Sequence, residues 1–533
     1  MPELREAIAH AKLIQYGLDA AQKHNRSLVV RQILFDATGK EEKRVHGAKA
    51  KLVQDLPAKP VIWRGANAAQ TRLYPHELGN KPISSLVLRG VSGYNRGVVL
   101  DFTELFLQIQ WLTHSSPQWY TLDMWTNGIC EVAKDVRGFR VGLAFVFDEL
   151  VLALVTNDQV FQPTWSRVQY IPPTAIHDNL ELYLTDLADW ISTEFFARDT
   201  TLWDKLISDV IRDNQINFQG VGVYTADELA FLAGFSPFLT AREVFMCPSR
   251  VARLVVALHR FTMLSFRNLD KLLRPALFEG VLAPTERMRE NYYTQWVHVS
   301  RKDTLQLSER MSDALDLYKD CDADEALDVY EPSYVAESIR ETGLGHLVFG
   351  PVASEALVGE RLPRNDALTM LFEREGLLGS ATNLHAFSKL DLTASELRAV
   401  RRHSTYAYEG VHKKIWSLLP HTSDDAILLV GDARIAELFK TRIYTTAEVC
   451  EGPMEYRGHG TRVAVGPSTR LSVCKGDPRI PEYYHTRLVQ GHVRHKGAGK
   501  RLDLTKGLAH KENKKPSAAQ KTILLCAQRR YPG

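Results

Sequence analysis

Residues 491–501 read GHVRHKGAGKR. Glycines stand at 491, 497 and 499, and His492, Arg494, His495, Lys496, Lys500 and Arg501 stand between and after them. Three chemistries use such residues: a loop that cradles a nucleotide phosphate, a metal site, or a basic segment lying on a nucleic-acid backbone. The phosphate loop needs glycine, four residues, then Gly-Lys followed by Ser or Thr. Gly499-Lys500 is followed by Arg501, and the first glycine would fall at Arg494, so the magnesium-holding hydroxyl and the first turn are both missing. A structural zinc site wants Cys and His pairs at short, regular spacings. His492 and His495 have His485 and His510 nearby, but the nearest upstream cysteine is Cys474. No metal and no cofactor is expected from this pattern.

Charge favours the third chemistry. From Lys475 to Gly533 there are fourteen Lys or Arg and four Asp or Glu, a net +10. The whole chain is +3, so residues 1–474 carry −7. A mildly acidic body with a strongly basic end implies a polyanionic partner. Nucleic acid, DNA or RNA, fits because neutralising each phosphate releases condensed counterions. An acidic protein surface, on the same or a neighbouring chain, fits the same charges and admits a homo-oligomer. The candidate nucleic-acid contacts are Arg487, His492, Arg494, His495, Lys496, Lys500, Arg501 and Lys506.

Four other stretches have chemical spacing. DCDADEALDVYE (320–331) places acids at positions one, three, five, nine and twelve of a calcium loop, but Glu325 occupies the sixth position, where the turn needs glycine. Arg64-Gly65 and Arg89-Gly90 end apolar runs, as does the dinucleotide-holding arginine of ADP-ribosyltransferase-type folds. THSSP (113–117) and Glu149 stand where the serine strand and catalytic glutamate would be needed, although Phe147 occupies the second acidic position. LLVGDARIAELF (428–439) has the outline of a strand–turn–helix anion site with one glycine instead of three. Cys247 precedes Pro-Ser-Arg at a helix start, with no paired histidine in view.

These residues need a scaffold, and 533 residues exceed one ordinary core. The expected architecture is α+β and multidomain: a mixed α/β domain over 1–172, a helical domain over 173–280, a mainly helical domain over 281–423, a strand–turn–helix with hairpin over 424–474, and the basic region 475–533. The chain opens on an amphipathic helix that places Leu4, Ile8, Ala11, Leu13, Ile14 and Leu18 at helical spacing. The apolar run at 141–156 is broken by Asp148-Glu149 and is too short to span a bilayer. It reads as two buried strands joined at the acidic pair, or as one core helix. Leu180, Leu182, Leu184, Leu187 and Trp190 suggest one broad helical face, and Thr225 with Glu228 suggests a capping box. Pro248 marks the first turn of a long helix. The opening residues are charged rather than signal-like, and six dispersed cysteines without a CxxC fit a reducing compartment. The expectation is therefore a protein of the cytoplasm, without membrane contact.

YYHTRLVQGHVRHKGAGKRLDLTKGLAHKENKK (483–515) resembles the C-terminal ends of uncharacterised phage and mobile-element proteins. Val489, Gly491, His492, Arg494, Gly507 and His510 carry that resemblance, and RLDLTKG departs from it where an aromatic-rich strand belongs. It implies a phage or plasmid origin, hence a host-cell cytoplasm, and no activity. Three functional classes stay open: a non-enzymatic protein that associates with nucleic acid, a self-assembling structural phage protein whose tail docks on a neighbour, and an ADP-ribosyltransferase-like enzyme in the N-terminal domain.

Overall fold

The computed structural model describes residues 3–36, 52–54, 74–111, 115–130, 140–156, 161–196, most of 201–282, 328–350, 365–378 and 403–407, with short pieces between 288 and 311. The described residues form an α+β protein of two compact units. One holds the residues up to Ile171 together with Leu269–Tyr292, and the other holds Pro172–Asn268 and the described residues after 292. Among the described residues no helix is long and apolar enough to cross a membrane.

Among its described residues the first unit carries two main antiparallel sheets, a short pairing of Leu277–Phe278 with Val281–Leu282, and the long helix α1 (Leu4–Lys23). The strands of the two main sheets are β1 (Gln32–Asp36), β2 (Leu52–Gln54), β3 (Leu88–Tyr94), β4 (Gly97–Phe102), β5 (Phe106–Trp111), β6 (Ser115–Thr121), β7 (Arg140–Val146), β8 (Leu150–Thr156) and β9 (Phe161–Ser166). One sheet runs β2-β1-β7-β8-β6 and the other β3-β4-β5-β9. Alternation along the strands sets what faces inward. Val98, Leu100 and Phe102 of β4 and Leu107, Ile109 and Trp111 of β5 share a core with Leu143 and Phe145 of β7 and Leu152 and Leu154 of β8. Phe145 of one sheet lies 5.1 Å from Phe102 and 6.2 Å from Trp165 of the other, ring centre to ring centre, so aromatic rings join the two sheets. Each such buried side chain contributes about 1.5–3 kcal/mol from the area it removes from water.

The run 141–156 is the pair of strands that its acidic interruption suggests. β7 and β8 are antiparallel, and the turn at Phe147-Asp148-Glu149 is closed by the Phe147 N–H donating to the Leu150 carbonyl at 2.9 Å. Val151, Leu152, Ala153, Leu154 and Val155 are all fully buried, so β8 is covered on both faces and its sequence has no polar alternation. Helix α1 buries Leu4, Ile8, Leu13, Ile14 and Leu18 as its spacing implies, and buries Arg5, Glu6 and His10 as well. The Trp119 indole of β6 crosses α1 at Gly17 and donates Nε1–H to the Leu13 carbonyl at 3.2 Å. A Cβ at position 17 would stand 2.1 Å from that ring.

The second unit is mainly helical. Its helices are α2 (Leu180–Ile191), α3 (Ile207–Asp213), α4 (Val223–Ala233), α5 (Ala241–Phe245), α6 (Pro248–Leu273, whose last turn belongs to the first unit), α7 (Ala336–Thr342), α8 (Gly345–Phe349) and α9 (Ala367–Arg374). Helix α2 is capped by Asn179, which accepts from the Leu182 N–H. Its inner face is Tyr183, Leu184, Leu187, Ala188 and Ile191. The broad leucine face expected from sequence is therefore corrected, since Leu182 is 45% exposed. Two of those leucines lie two apart, which a helix places on different sides. Trp190, Phe195, Phe218 and Phe245 interlock beside it.

The packing of Gly17 against Trp119 generates a test. Gly17→Ala should cost about 1–3 kcal/mol, because the added methyl overpacks a ring held by its own hydrogen bond. Urea unfolding of the full chain followed by circular dichroism measures this, and Trp119→Phe in the Gly17→Ala background should recover part of the loss.

Candidate functional site

The basic contacts read from sequence, Arg487, His492, Arg494, His495, Lys496, Lys500, Arg501 and Lys506, lie outside the described residues. So do Arg64-Gly65 and the strand–turn–helix and hairpin expected over 424–474. Three other sequence candidates can be placed.

The ADP-ribosyltransferase-like constellation does not converge. Ser115 pairs with Thr156 at one end of the β6–β8 ladder, whereas Glu149 adjoins Leu150, which pairs with Thr121 at the other. Six residues of strand separate the ends, roughly 20 Å at 3.3 Å per residue. Arg89 lies on β3 in the other sheet, and Glu149 is bound to Arg26 at 2.7 Å. Of the calcium spacing, positions nine and twelve are Asp328 and Glu331, and both have protein partners. The capping box at Thr225 is corrected too. Helix α4 starts two residues earlier, after Gly222 in extended backbone, so Thr225 is inside the helix. Glu228 then faces residues 298–299, where it accepts the His298 and Val299 N–H groups at 2.7 and 2.8 Å.

Buried ionisable side chains are the features most costly to fold and so the best pointers to function or architecture. In the helical unit Asp328 is fully buried between two arginines of α6. Arg250 Nε donates to Asp328 Oδ2 at 3.0 Å and its Nη2 to Oδ1 at 3.1 Å, while Nη1 reaches the Glu243 carbonyl at 2.8 Å. Arg253 donates to the same carboxylate and, at 2.6 Å, to the Ala233 carbonyl at the end of α4. Its guanidinium lies 5.3 Å over the Tyr330 ring. Burial works to raise the Asp328 pKa, but the two guanidinium groups outweigh it and hold the carboxyl below its usual range. Helix α4 ends on Gly234 at φ +72°, where a side chain would collide with the Tyr330 backbone at 2.5 Å. The Val329 N–H donates to the Gly234 carbonyl at 2.7 Å and completes the seam. With its donors and acceptors met this way, the centre is architectural rather than catalytic. Sequence reasoning misses this centre; the one local trace of it is CPSRVARLVV, where two arginines three apart stand inside an apolar helical stripe, with nothing local to name their partner.

The loop between α3 and α4 is equally tied down. Asn214 Oδ1 accepts the Ile216 and Asn217 N–H groups, both at 3.1 Å. Gln215 braces the loop from within, donating to the Arg212 and Val221 carbonyls at 2.6 and 3.1 Å and accepting from the Gly220 N–H at 3.1 Å. Gln219 ties it to the Pro173 and Thr174 carbonyls. Its tip carries Ile216, 64% exposed.

In the sheet unit the ionisable cluster is the start of α1, where Glu3, Arg5, Glu6 and His10 are all buried. The Glu3 N–H donates to Glu6 at 2.8 Å, and Arg5 reaches the Tyr292 hydroxyl at 3.3 Å. His10 packs edge-on to Trp111 at 5.2 Å, and burial pushes its pKa down to about 3, so it is neutral near pH 7. Among the described residues no three His, Cys, Asp or Glu side chains are grouped to hold a metal ion.

Two outcomes follow. Asp328→Asn leaves two buried guanidinium groups without their counter-ion and should destabilise the helical unit by about 3–5 kcal/mol in urea unfolding. For His10 the folded pKa lies below the unfolded one, so stability is complete above about pH 6.5 and falls as pH drops below it, by at most about 1.4 kcal/mol per pH unit. Hydrogen exchange of α1 peptides should show this acid loss, and His10→Phe should flatten it.

No protein-family model and no curated protein matches the sequence. Among solved structures, the Lactococcus lactis formamidopyrimidine DNA glycosylase bound to DNA containing an abasic site aligns with 53% of this chain and 89% of its own, at 12% identity and a TM-score of 0.31. A structure of MutM with DNA containing carbocyclic 8-oxo-G aligns over 52% of this chain and 83% of its own, at 13% identity and the same TM-score. A likeness at this level assigns neither a family nor an activity to the chain.

Proposed function

We propose that this protein associates with nucleic acid by lying its basic C-terminal region along a phosphate backbone. The observation that carries this reading is the charge division, +10 over residues 475–533 against −7 over the rest. The described body adds to it. Several of its cations are matched by carboxylates: part-buried Lys12 with Asp270 at 2.9 Å, and exposed Arg26 with Glu149 at 2.7 Å, Arg31 with Asp148 at 2.8 Å and Lys81 with Glu104 at 2.5 Å. By count along the sequence, positive charge in excess of acids lies beyond residue 474. Arg487, His492, Arg494, His495, Lys496, Lys500, Arg501 and Lys506 are the proposed contacts, acting as charges and hydrogen-bond donors to phosphate oxygens. Contacts of this kind set affinity and not sequence preference, and the role is non-enzymatic. The phage or mobile-element setting implied by residues 483–515 belongs to the same proposal.

A salt titration tests it. Binding of the full chain to fluorescent duplex should weaken steeply with salt, each neutralised phosphate adding a slope of roughly −0.9 on log–log axes. The combined Arg494→Ala, Lys496→Ala, Lys500→Ala and Arg501→Ala variant should lose up to about 3 to 4 units of slope on the same relation while its circular dichroism is unchanged. Lys500→Arg, which keeps the charge, should be nearly silent. No duplex or single-strand binding at about 50 mM salt, or an unchanged slope in the quadruple variant, overturns the reading. A nuclease-insensitive, concentration-dependent particle would then favour a tail that docks on a neighbouring subunit.

A further inference from the structure

The contact between α6 and α7 holds a buried histidine. His259 projects from α6 into this contact and is 5% exposed. Its Nδ1 lies 3.0 Å from Ser338 Oγ of α7, and its Nε2 lies 3.8 Å from Glu341, too far for a hydrogen bond. The groups that face it electrostatically are Glu341 and Glu337 of α7, Arg267 of its own helix, and His177 from the segment before α2. Around it Arg260 binds Glu337 at 3.1 Å, and Arg267 binds Glu337 at 3.4 Å and Glu341 at 2.7 Å. Both carboxylates are thus already engaged by arginines. His177 stacks on Phe266 of α6, ring centres 3.8 Å apart, with Asp178 at 3.3 Å from its Nε2.

We propose that His259 is an acid-sensitive latch, which fixes α7 to α6 while neutral and loosens that contact when protonated. Neutral His259 shares one hydrogen bond with Ser338 and adds no charge to a contact in which Arg260 and Arg267 face Glu337 and Glu341. A proton on His259 adds a third cation beside that more exposed set, on a ring that is itself buried, next to a second histidine that acid also charges. Burial is the largest influence on both histidines and lowers both pKa values, outweighing the nearby carboxylates. The sign follows. The unfolded or opened segment takes up the proton near pH 6.5, before the closed form does, so the latch is fully closed above that pH and opens progressively below it. One proton taken up on opening changes the opening equilibrium by at most about tenfold per pH unit. Helix α7 is the part released, since it is seven residues long and too short to persist alone.

Hydrogen exchange of the full chain, corrected for the pH dependence of the intrinsic exchange rate, reads this directly. Between pH 7.5 and 5.5, protection of peptides spanning Ala336–Thr342 should fall several-fold, while α2 and α9 peptides hold. His259→Gln, which keeps a polar group for Ser338 without titrating, should abolish that fall. His177→Gln, at the periphery of the contact, should shrink it without abolishing it, and it provides the reading if the first variant does not fold. Unchanged protection at Ala336–Thr342 in the wild type overturns the latch. So does an equal loss in His259→Gln, or in His177→Gln where the first variant does not fold.

Discussion

The helical unit depends on one carboxylate. Asp328 lies between Arg250 and Arg253, and through them it reaches the carbonyls of Glu243 and Ala233. One buried anion thereby ties together the end of α4, the end of α5, the first turns of α6 and the segment that leads to α7. Electrostatic attraction in a low-dielectric interior is strong, but it offsets the desolvation of three charged groups only if every donor has an acceptor. That condition fixes directions as well as distances. It sets where Gly234 turns, because Tyr330 leaves no room for a side chain there, and it carries α7 to the face of α6 that bears His259.

The sheet unit is stabilised differently. Its two sheets meet through apolar and aromatic side chains of ordinary alternation, and its helix is located by shape, a glycine notch receiving an indole. Apolar burial is tolerant of small displacements, whereas a charge network is not. Its buried ionisable groups include those at the first turns of α1, where Glu3, Arg5, Glu6 and His10 enter the interior.

What the sequence revealed and withheld follows from the range of each interaction. The β7–β8 hairpin was legible because an acidic pair interrupting an apolar run is a local signal, and so were α1 and the proline start of α6. Helix faces and starts were less so. Leu182 looks like a core residue by composition but lies on the wrong side by angle, and Thr225 looks like a cap that a preceding glycine pre-empts. The Asp328 centre was hidden because its members come from distant parts of the chain, and the acidic stretch 320–331 invited a cation instead of two arginines. Glu149 and Ser115 are close enough in the alignment of motifs, yet the β6–β8 register puts them at opposite strand ends. The basic segment 487–506 was legible only as charge, because charge is additive along a sequence and geometry is not.

The spacing of the Asp328 centre along the chain has a consequence for synthesis. Arg253 precedes Asp328 by 75 residues. At about 5–20 residues per second, the ribosome adds the carboxylate roughly 4–15 s after the arginines. Throughout that interval the two arginines of α6 have the Glu243 and Ala233 carbonyls as partners but lack their native counter-ion. The charge balance of the inner face of α6 is therefore completed by a residue outside that helix.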